Sequence, residues 1–585
     1  MSKIDRSRSE SGSGDCFFSG SLGPQGRDMP SGFAVCRSTA GKGHAAVLTR
    51  RDKLIAAGLA LLVLLLGYGR MVPRVCGSFG DDAIYVITAK ALAQGQGYRL
   101  INLHGAPLQT KYPILYPALL AMVWKLWPNF PDNLLLMKWL SVLCGAATVG
   151  LVYLFLRRFN YFPGAVVLAA SLLCATAASF LFFASQTLSE IPFALLTIPA
   201  LWVMEAQIRA PAWSRHRQFC SGVLLALPFL VRIIGASLVP AGLFFLYYWR
   251  RPLRWVILGA AVIMVPWILW MLLGLGAWQR DPITGYYTDY LGWWSSIRPV
   301  LLGKGGVGNL FGIIWGIVIL SLEGLNHWFM GTALWTVLAI LLGLISLVSI
   351  FGRLGQGQVL PYYLLFYLIV VLLWPWQPFR FLIPILPFVI AYLLAGILAL
   401  FRNLPEKLWF RSLAAVTVSV LVLANLTYFY QHRALSQRTG YPFLFLTVLP
   451  SHPASWAQYQ DLFHCLKANS RPGDVLAGWE DPMLYLYTGR VSISPFKHIP
   501  PPIFYGEAAR SYGTVEDLRR TLRTYKVRYL VKMPTGDDSV KMPTGDDKKI
   551  DRLLDDLQQQ YPDWVKPVYV GHGRRFAVLA LGQEE

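Results

Sequence analysis

Apolar residues in this chain come in long runs separated by short polar intervals, from Leu54 to Tyr430. A helix needs about 20 apolar residues to span a bilayer, fewer when its flanks snorkel. That criterion predicts spans near 54–70, 134–156, 163–183, 190–207, 219–234, 236–249, 255–274, 330–351, 360–375, 381–401 and 412–430. The two runs between Cys220 and Trp249 are short and read as a candidate broken hairpin, while Gly308 to Leu322 fits either a span or an interfacial helix. The expected fold class is a polytopic α-helical membrane protein of about 11–13 transmembrane helices.

The pattern changes at both ends. Residues 1–53 are rich in Ser, Gly and Arg without apolar periodicity, which predicts a disordered basic tail. The first apolar run starts far from Met1 and is followed by Gly-Tyr-Gly-Arg, so cleavage as a signal peptide is not expected. From about Pro442 short helices and strands alternate: Trp456–Ala468 helical, Val475–Ala477 a strand, Asp481–Tyr487 a helical turn, Val491–Ser494 a strand. Thr514 with Asp517 three residues on opens a helix to Tyr525, before strand Val527–Val531. Ile550–Gln559 reads as helix, and Val568–Val570 and Phe576–Leu581 as strands, so 442–585 is expected to be a small α/β domain outside the membrane. Within it Lys-Met-Pro-Thr-Gly-Asp-Asp occurs at 532–538 and again at 541–547, as a duplication tolerated at an exposed loop tip would.

Composition supports this picture. The chain of 585 residues is 55% hydrophobic with 14% charged residues, against about 25% charged in soluble domains. Its net charge of +22 invites nucleic acid, but basic residues at cytoplasmic helix ends account for much of it, and no nucleic-acid partner is expected. Arg157/Arg158, Arg209/Arg215/Arg217, Arg250/Arg251/Arg254 and Arg402/Lys407/Arg411 recur at alternate loops together with the basic tail. The positive-inside rule makes these cytoplasmic, with the N-terminus. Loops 71–133, 184–189, 275–308 and 376–380 then share the opposite face with the C-terminal domain, which for eleven spans in a plasma (inner) membrane is self-consistent. The seven cysteines show neither metal-ligand spacing nor a disulfide framework.

Candidate chemistry gathers on that outer face. The segment Gly80–Pro117 is far more polar than its surroundings, and ionised groups at a membrane edge mark function. Asp81 is the candidate general base, with Asp82 and Glu190 as candidate supporting acids. Acids at a helix start also suit the helix dipole, and adjacent ones point about 100° apart, so only one of Asp81 and Asp82 faces a common cavity. Lys111, Arg380 and Arg99 are candidate phosphate partners, although Lys111 and Arg380 also fit as interfacial anchors. Tyr286, Tyr287 and Lys304 form a candidate substrate loop whose aromatics suit an interfacial belt equally well. No P-loop or Rossmann glycine fingerprint occurs, so an activated donor outside the cytoplasm would be lipid-linked.

Asp-Asp-x-x-Tyr after the first span, Gly-x-Gly-Tyr, Lys-Tyr-Pro-x-Leu-Tyr-Pro, Ser-Glu-Ile-Pro and Arg-Phe-x-x-Pro-x-x-Pro follow in order. This series resembles the GT-C superfamily of membrane glycosyltransferases, in particular the protein O-mannosyltransferase and lipid A aminoarabinose transferase group. The resemblance covers Leu54 to about Tyr430 and, more loosely, the C-terminal domain. It implies that residues 54–430 form the catalytic domain, with Asp81 as base and Glu190 matching the family's second outer acid. Asp82 stands where the family has Glu, and Lys111-Tyr112-Pro113 stands for its Lys-Pro-Pro, so one proline is lost. It further implies inverting transfer of a sugar from a polyprenyl-phosphate (dolichyl-phosphate-like) donor to a hydroxyl acceptor, with no cofactor specified and a divalent metal left open. The alternative is a transporter or flippase of a polyprenyl-linked glycan. A flippase should show charges at mid-membrane on broken helices and repeated halves.

Overall fold

The computed structural model describes residues 46–210, 213–292, 294–295, 306–374, 378–401, 408–444, 454–496, 513–534, 546–571 and 575–582. The predicted tail at 1–53 therefore lies outside them up to residue 45. Helix α1 (Arg50–Arg70) is started by Thr49, whose hydroxyl accepts from Asp52 N–H at 3.2 Å while the Asp52 carboxylate accepts from Thr49 N–H at 3.0 Å. Asp52 also receives Arg157 at 3.0 Å, joining the start of α1 to the end of α4. In chain order follow α2 (Asp81–Ala93), α3 (Leu115–Leu126), α4 (Leu134–Arg158), α5 (Gly164–Thr176), α6 (Ala178–Ala184) and α7 (Glu190–Arg209). Then come α8 (Arg215–Ala226), α9 (Leu238–Tyr248), α10 (Arg254–Leu272), α11 (Ala277–Arg280) and α12 (Pro282–Thr288). Helices α13 (Gly306–Ser321), α14 (Glu323–Phe329), α15 (Ala333–Phe351), α16 (Val359–Leu372), α17 (Pro378–Leu382), α18 (Leu386–Leu400) and α19 (Leu408–Thr439) complete the bundle.

Among the described residues seven helices are long and apolar enough to cross a membrane, or nine if two bent pairs each count as one span. Their outward residues are apolar: Ile257, Val262, Val265 and Leu269 on α10 and Val337, Leu341, Leu344 and Val348 on α15 are exposed. Water does not tolerate such faces at this extent, whereas lipid does. The chain is a multi-pass membrane protein.

The sequence pattern placed the runs and flagged the break between Cys220 and Trp249, but missed two others. The run at 163–183 is bent by 63° between α5 and α6, and 308–322 ends in a 105° bend between α13 and α14. The run at 219–234 stops being α-helical at Ala226, passes through a 3-10 turn (Leu227–Leu230), opens at Arg232, and resumes through a second 3-10 turn (Ile233–Ser237). Pro228 removes an amide donor there. Gly235 permits the close return: a Cβ on it would lie 2.6 Å from Phe229 N. The stretch 71–133, expected as a loop, carries the whole of α2 and α3.

The C-terminal unit is an α/β domain, with helices α20 (Trp456–Asn469), α21 (Asp481–Thr488), α22 (Val515–Thr524) and α23 (Asp546–Gln560). Strands β1 (Val475–Gly478), β2 (Ser492–Ile493), β3 (Val527–Lys532), β4 (Val565–Val570) and β5 (Ala577–Leu581) form one sheet in the order β2-β1-β3-β5-β4. β1 runs parallel to β2 and β3, while β5 is antiparallel to β3 and β4, with Leu530 opposite Leu579. Most of the duplicated heptapeptide lies outside the described residues. The domain rests on the segment that carries Asp81. Tyr487 donates to Arg74 C=O at 2.7 Å and accepts from Cys76 N–H at 3.0 Å, and Ser492 N–H donates to Asn102 C=O at 3.0 Å. At Gly77 (φ 101°) a Cβ would come within 2.7 Å of the Met483 Cβ, so this approach needs glycine.

Candidate active site

Asp81 opens α2 just after Gly80, whose φ of 67° turns the chain into the helix. The two acids then diverge. Asp82 is buried and turns back on its own loop, accepting from Gly77 N–H at 2.7 Å and Phe79 N–H at 3.1 Å. Burial raises its carboxyl above the ordinary value despite those amides. Asp81, 26% exposed, points the other way and meets Arg380 of α17, Nη1 to Oδ2 at 2.7 Å. Its other oxygen accepts from the Tyr112 hydroxyl. Burial pushes the Asp81 carboxyl up, but Arg380, the Tyr112 hydroxyl and Lys111 together outweigh it and hold the group below its ordinary value. It is ionised at neutral pH.

Arg380 is a bridge. Its Nε donates to Oε1 of Glu190, the first residue of α7, and that oxygen also receives Arg232 Nη1 at 2.8 Å. Glu190 is fully buried. A carboxylate taken out of water is opposed by several kcal/mol, and the two guanidinium partners offset that cost here. Arg232 reaches Ser189 Oγ at 2.9 Å as well, and the Tyr85 hydroxyl shares that Oγ at 2.8 Å. The result is an unbroken chain Asp81–Arg380–Glu190–Arg232 across residues far apart in sequence.

Lys111 lies beside it, with Nζ donating to Tyr286 C=O at 2.9 Å and standing 4.1 Å from the centre of the Tyr286 ring. Tyr112 and Tyr290 present their rings at 5.5 and 5.9 Å. Gln109 fixes the backbone here, its Oε1 accepting from Lys111 N–H at 2.8 Å and Tyr112 N–H at 3.2 Å. Tyr287 does a different job: its hydroxyl donates to Asp481 at 2.7 Å and ties α12 to the C-terminal domain.

Of the residues singled out in the sequence, Asp81, Glu190, Arg380, Lys111 and Tyr286 converge, and Asp82 lies directly behind the loop. Arg99 does not join them: it is exposed and donates to Ala106 C=O at 3.0 Å within its own loop. Lys304 lies outside the described residues. Sequence reasoning missed Arg232 and assigned no role to Tyr112, Ser189 or Tyr85. Arg232 had a signal, since it is a lone cation in an apolar run flanked by Pro228 and Gly235, and an intramembrane arginine marks function by default. Ser189 and Tyr85 stood in the motifs Ser-Glu-Ile-Pro and Asp-Asp-x-x-Tyr, which gave them no role of their own.

Helix α7 relates this site to the basic ends. It starts with Glu190 at the cluster and ends with Arg209, and its 20 residues extend about 30 Å at 1.5 Å per residue. That matches the hydrocarbon thickness of a bilayer. The acids and the Arg157/Arg209 cluster therefore occupy opposite ends of the bundle, and the C-terminal domain shares the end with the acids.

No family model and no curated protein matches the chain. Among solved structures, the oligosaccharyltransferase of Archaeoglobus fulgidus, tethered to an acceptor peptide containing the NVT sequon, aligns with a TM-score of 0.52 at 13% identity, over 91% of this chain and 74% of that one. ArnT from Cupriavidus metallidurans bound to undecaprenyl phosphate aligns at TM-score 0.45 and 14% identity, over 91% of this chain and 99% of ArnT. The arabinofuranosyltransferase AftD from Mycobacteria aligns at TM-score 0.44 and 16% identity, over 92% of this chain and 40% of AftD.

Proposed function

We propose that this chain, whose fold is GT-C-like, is an inverting glycosyltransferase that moves a sugar from a polyprenyl-phosphate carrier to a hydroxyl acceptor at the outer membrane face. The observation that carries this reading is an ionised carboxylate, Asp81, set against Arg380 and Lys111 at one end of the bundle. A hydroxyl is activated only where a base waits beside it, and a phosphate leaves readily only where cations take up its charge.

In this reading the acceptor hydroxyl gives its proton to Asp81 as its oxygen attacks the anomeric carbon. The bond from that carbon to the phosphate oxygen breaks on the opposite face, and the polyprenyl phosphate departs with the electron pair. Arg380 and Lys111 meet the leaving phosphate. Glu190 and Arg232 hold Arg380 from behind, so that it is aimed before substrate arrives. The basic helix ends face the cytoplasm with the N-terminus, and the C-terminal domain lies outside.

The test is transfer by the purified protein in liposomes supplied with a polyprenyl-phosphate sugar labelled in the sugar. Label passing from the carrier to hydroxyl compounds is the expected result. Movement of the intact labelled carrier between leaflets without transfer would replace this reading with that of a flippase.

A further inference from the structure

Where the resembled family has Lys-Pro-Pro, this chain has Lys111-Tyr112-Pro113, and the structure shows what the substituted residue touches. The Tyr112 hydroxyl donates to Asp81 Oδ1, while Arg380 holds Oδ2 at 2.7 Å. Tyr112 is itself firmly held. Its N–H donates to Gln109 Oε1 at 3.2 Å, its carbonyl accepts from the Tyr98 hydroxyl at 2.8 Å, and its ring meets the Tyr85 ring edge-on at 5.4 Å. A proline at this position could supply neither the hydroxyl nor the amide donor.

We propose that Tyr112 is a positioning residue for the Asp81 base: it fixes the plane of the carboxylate and leaves Oδ2 as the oxygen that receives the acceptor's proton. The two partners of Asp81 differ in what can draw them away. Arg380 is a cation that an arriving phosphate attracts, and it already spans two carboxylates. Tyr112 is neutral, with burial pushing its phenol well above the ordinary value, so it stays a donor throughout. Donor binding then loosens the contact on Oδ2 and leaves the contact on Oδ1 in place. The base is uncovered on one oxygen only, after the phosphate has arrived. This inference rests on the glycosyltransferase reading for its kinetic consequence, though the hydrogen bond itself does not.

Among the described residues, the charged and titratable groups acting on Asp81 besides Tyr112 include Arg380, Lys111, Tyr85 and Tyr290, with Glu190 and Arg232 acting through Arg380. Of these, Tyr112→Phe removes a single hydrogen-bond donor and no charge. A donor to the ionised form lowers a carboxyl's pKa. The expected result is therefore an acid limb of kcat/KM for the acceptor moved upward by about one pH unit, with kcat at neutral pH down about tenfold. Binding of polyprenyl phosphate should be unchanged. Incorporating 3-fluorotyrosine at position 112, a stronger donor of nearly the same shape, should move the limb the other way. An unmoved acid limb in both variants would overturn the proposal, as would a lost affinity for polyprenyl phosphate.

A measurement without turnover separates this from failure of the functional reading. The carboxyl stretch of Asp81, isolated by infrared difference against Asp81→Asn, is titrated in the unmodified protein and in Tyr112→Phe. A titration shifted upward in Tyr112→Phe supports the hydrogen bond even if no sugar is ever transferred. Superimposable titrations refute it.

Discussion

Asp81 has a donor on each oxygen, Tyr112 and Arg380, whereas Asp82 next to it is spent on the amides of Gly77 and Phe79. That division gives the pair opposite mutational signatures. Asp81→Asn keeps the shape and cannot accept a proton, so transfer should fall about 10²–10⁴-fold with binding of polyprenyl phosphate retained, as measured by turnover and equilibrium binding in liposomes. Asp82→Asn should instead lower thermal stability, because an amide presents one acceptor oxygen where two amides converge. Near-normal turnover in Asp81→Asn would mean that another acid is the base. The pH dependence follows from the depressed Asp81 carboxyl. Its ionised form persists below the ordinary carboxylate range, while the stability it brings to the folded chain is full above the ordinary value and is lost as pH falls from there through the depressed one. Arg380→Gln removes the largest lowering influence, so the acid limb of the rate profile should move to higher pH by about 1–3 units; a limb that stays put would place the titrating group elsewhere.

At the scale of elements, the loop before α2 is held from below by α4. Lys138 of α4 is buried and its Nζ donates to Val72 C=O at 2.7 Å, Val75 C=O at 2.7 Å and Gln186 Oε1 at 3.1 Å. It therefore fixes the loop that delivers Asp81 and joins it to the segment between α6 and α7. Lys138→Met should leave those carbonyls buried without a donor, at about 1–3 kcal/mol each. The expected readout is a lowered unfolding temperature with easier proteolysis within 71–80, and a fall in kcat that exceeds any change in donor affinity. If turnover and stability both survive, the loop is set by the C-terminal domain alone. The broken elements matter in the same way. Arg232 can reach Glu190 because the chain opens at it, between the 3-10 turns Leu227–Leu230 and Ile233–Ser237; an unbroken helix would carry its side chain along the helix surface instead.

Over the whole molecule, one end of the bundle gathers Arg157, Arg158 and Arg209, while the other gathers Asp81, Glu190 and the sheet domain. Arginine-rich helix ends stay on the cytoplasmic side during insertion. A phosphatase reporter fused after Glu585 should therefore be active, and a fluorescent protein that matures only in the cytoplasm should be dark there. The reverse pattern would put the acids on the cytoplasmic side, where nucleotide-sugar donors exist, and would remove the case for a lipid-linked one.

Much of this architecture was legible in the sequence because its causes are local. A run of apolar residues long enough for a bilayer has few alternatives to a helix, and in the last domain the expected helices and strands lie within a few residues of those observed, from Val475–Gly478 to Ala577–Leu581. Asp81, Lys111, Glu190 and Arg380 stood out for the same reason, being ionised groups in apolar surroundings. The breaks at Ala177 and Leu322 were not legible, since what a bent helix end meets is contributed by other helices, whereas the one around Arg232 showed in the two short runs between Cys220 and Trp249. Nor were the partners. That Arg380 binds Asp81 299 positions away and Glu190 190 positions away, that Arg232 closes the chain, and that Tyr112 rather than a second lysine or arginine meets the other oxygen of Asp81 were decided by tertiary structure. A charge buried near lipid is tolerated only where the fold brings a counter-charge or enough hydrogen-bond partners, and that pairing is a property of the packed bundle.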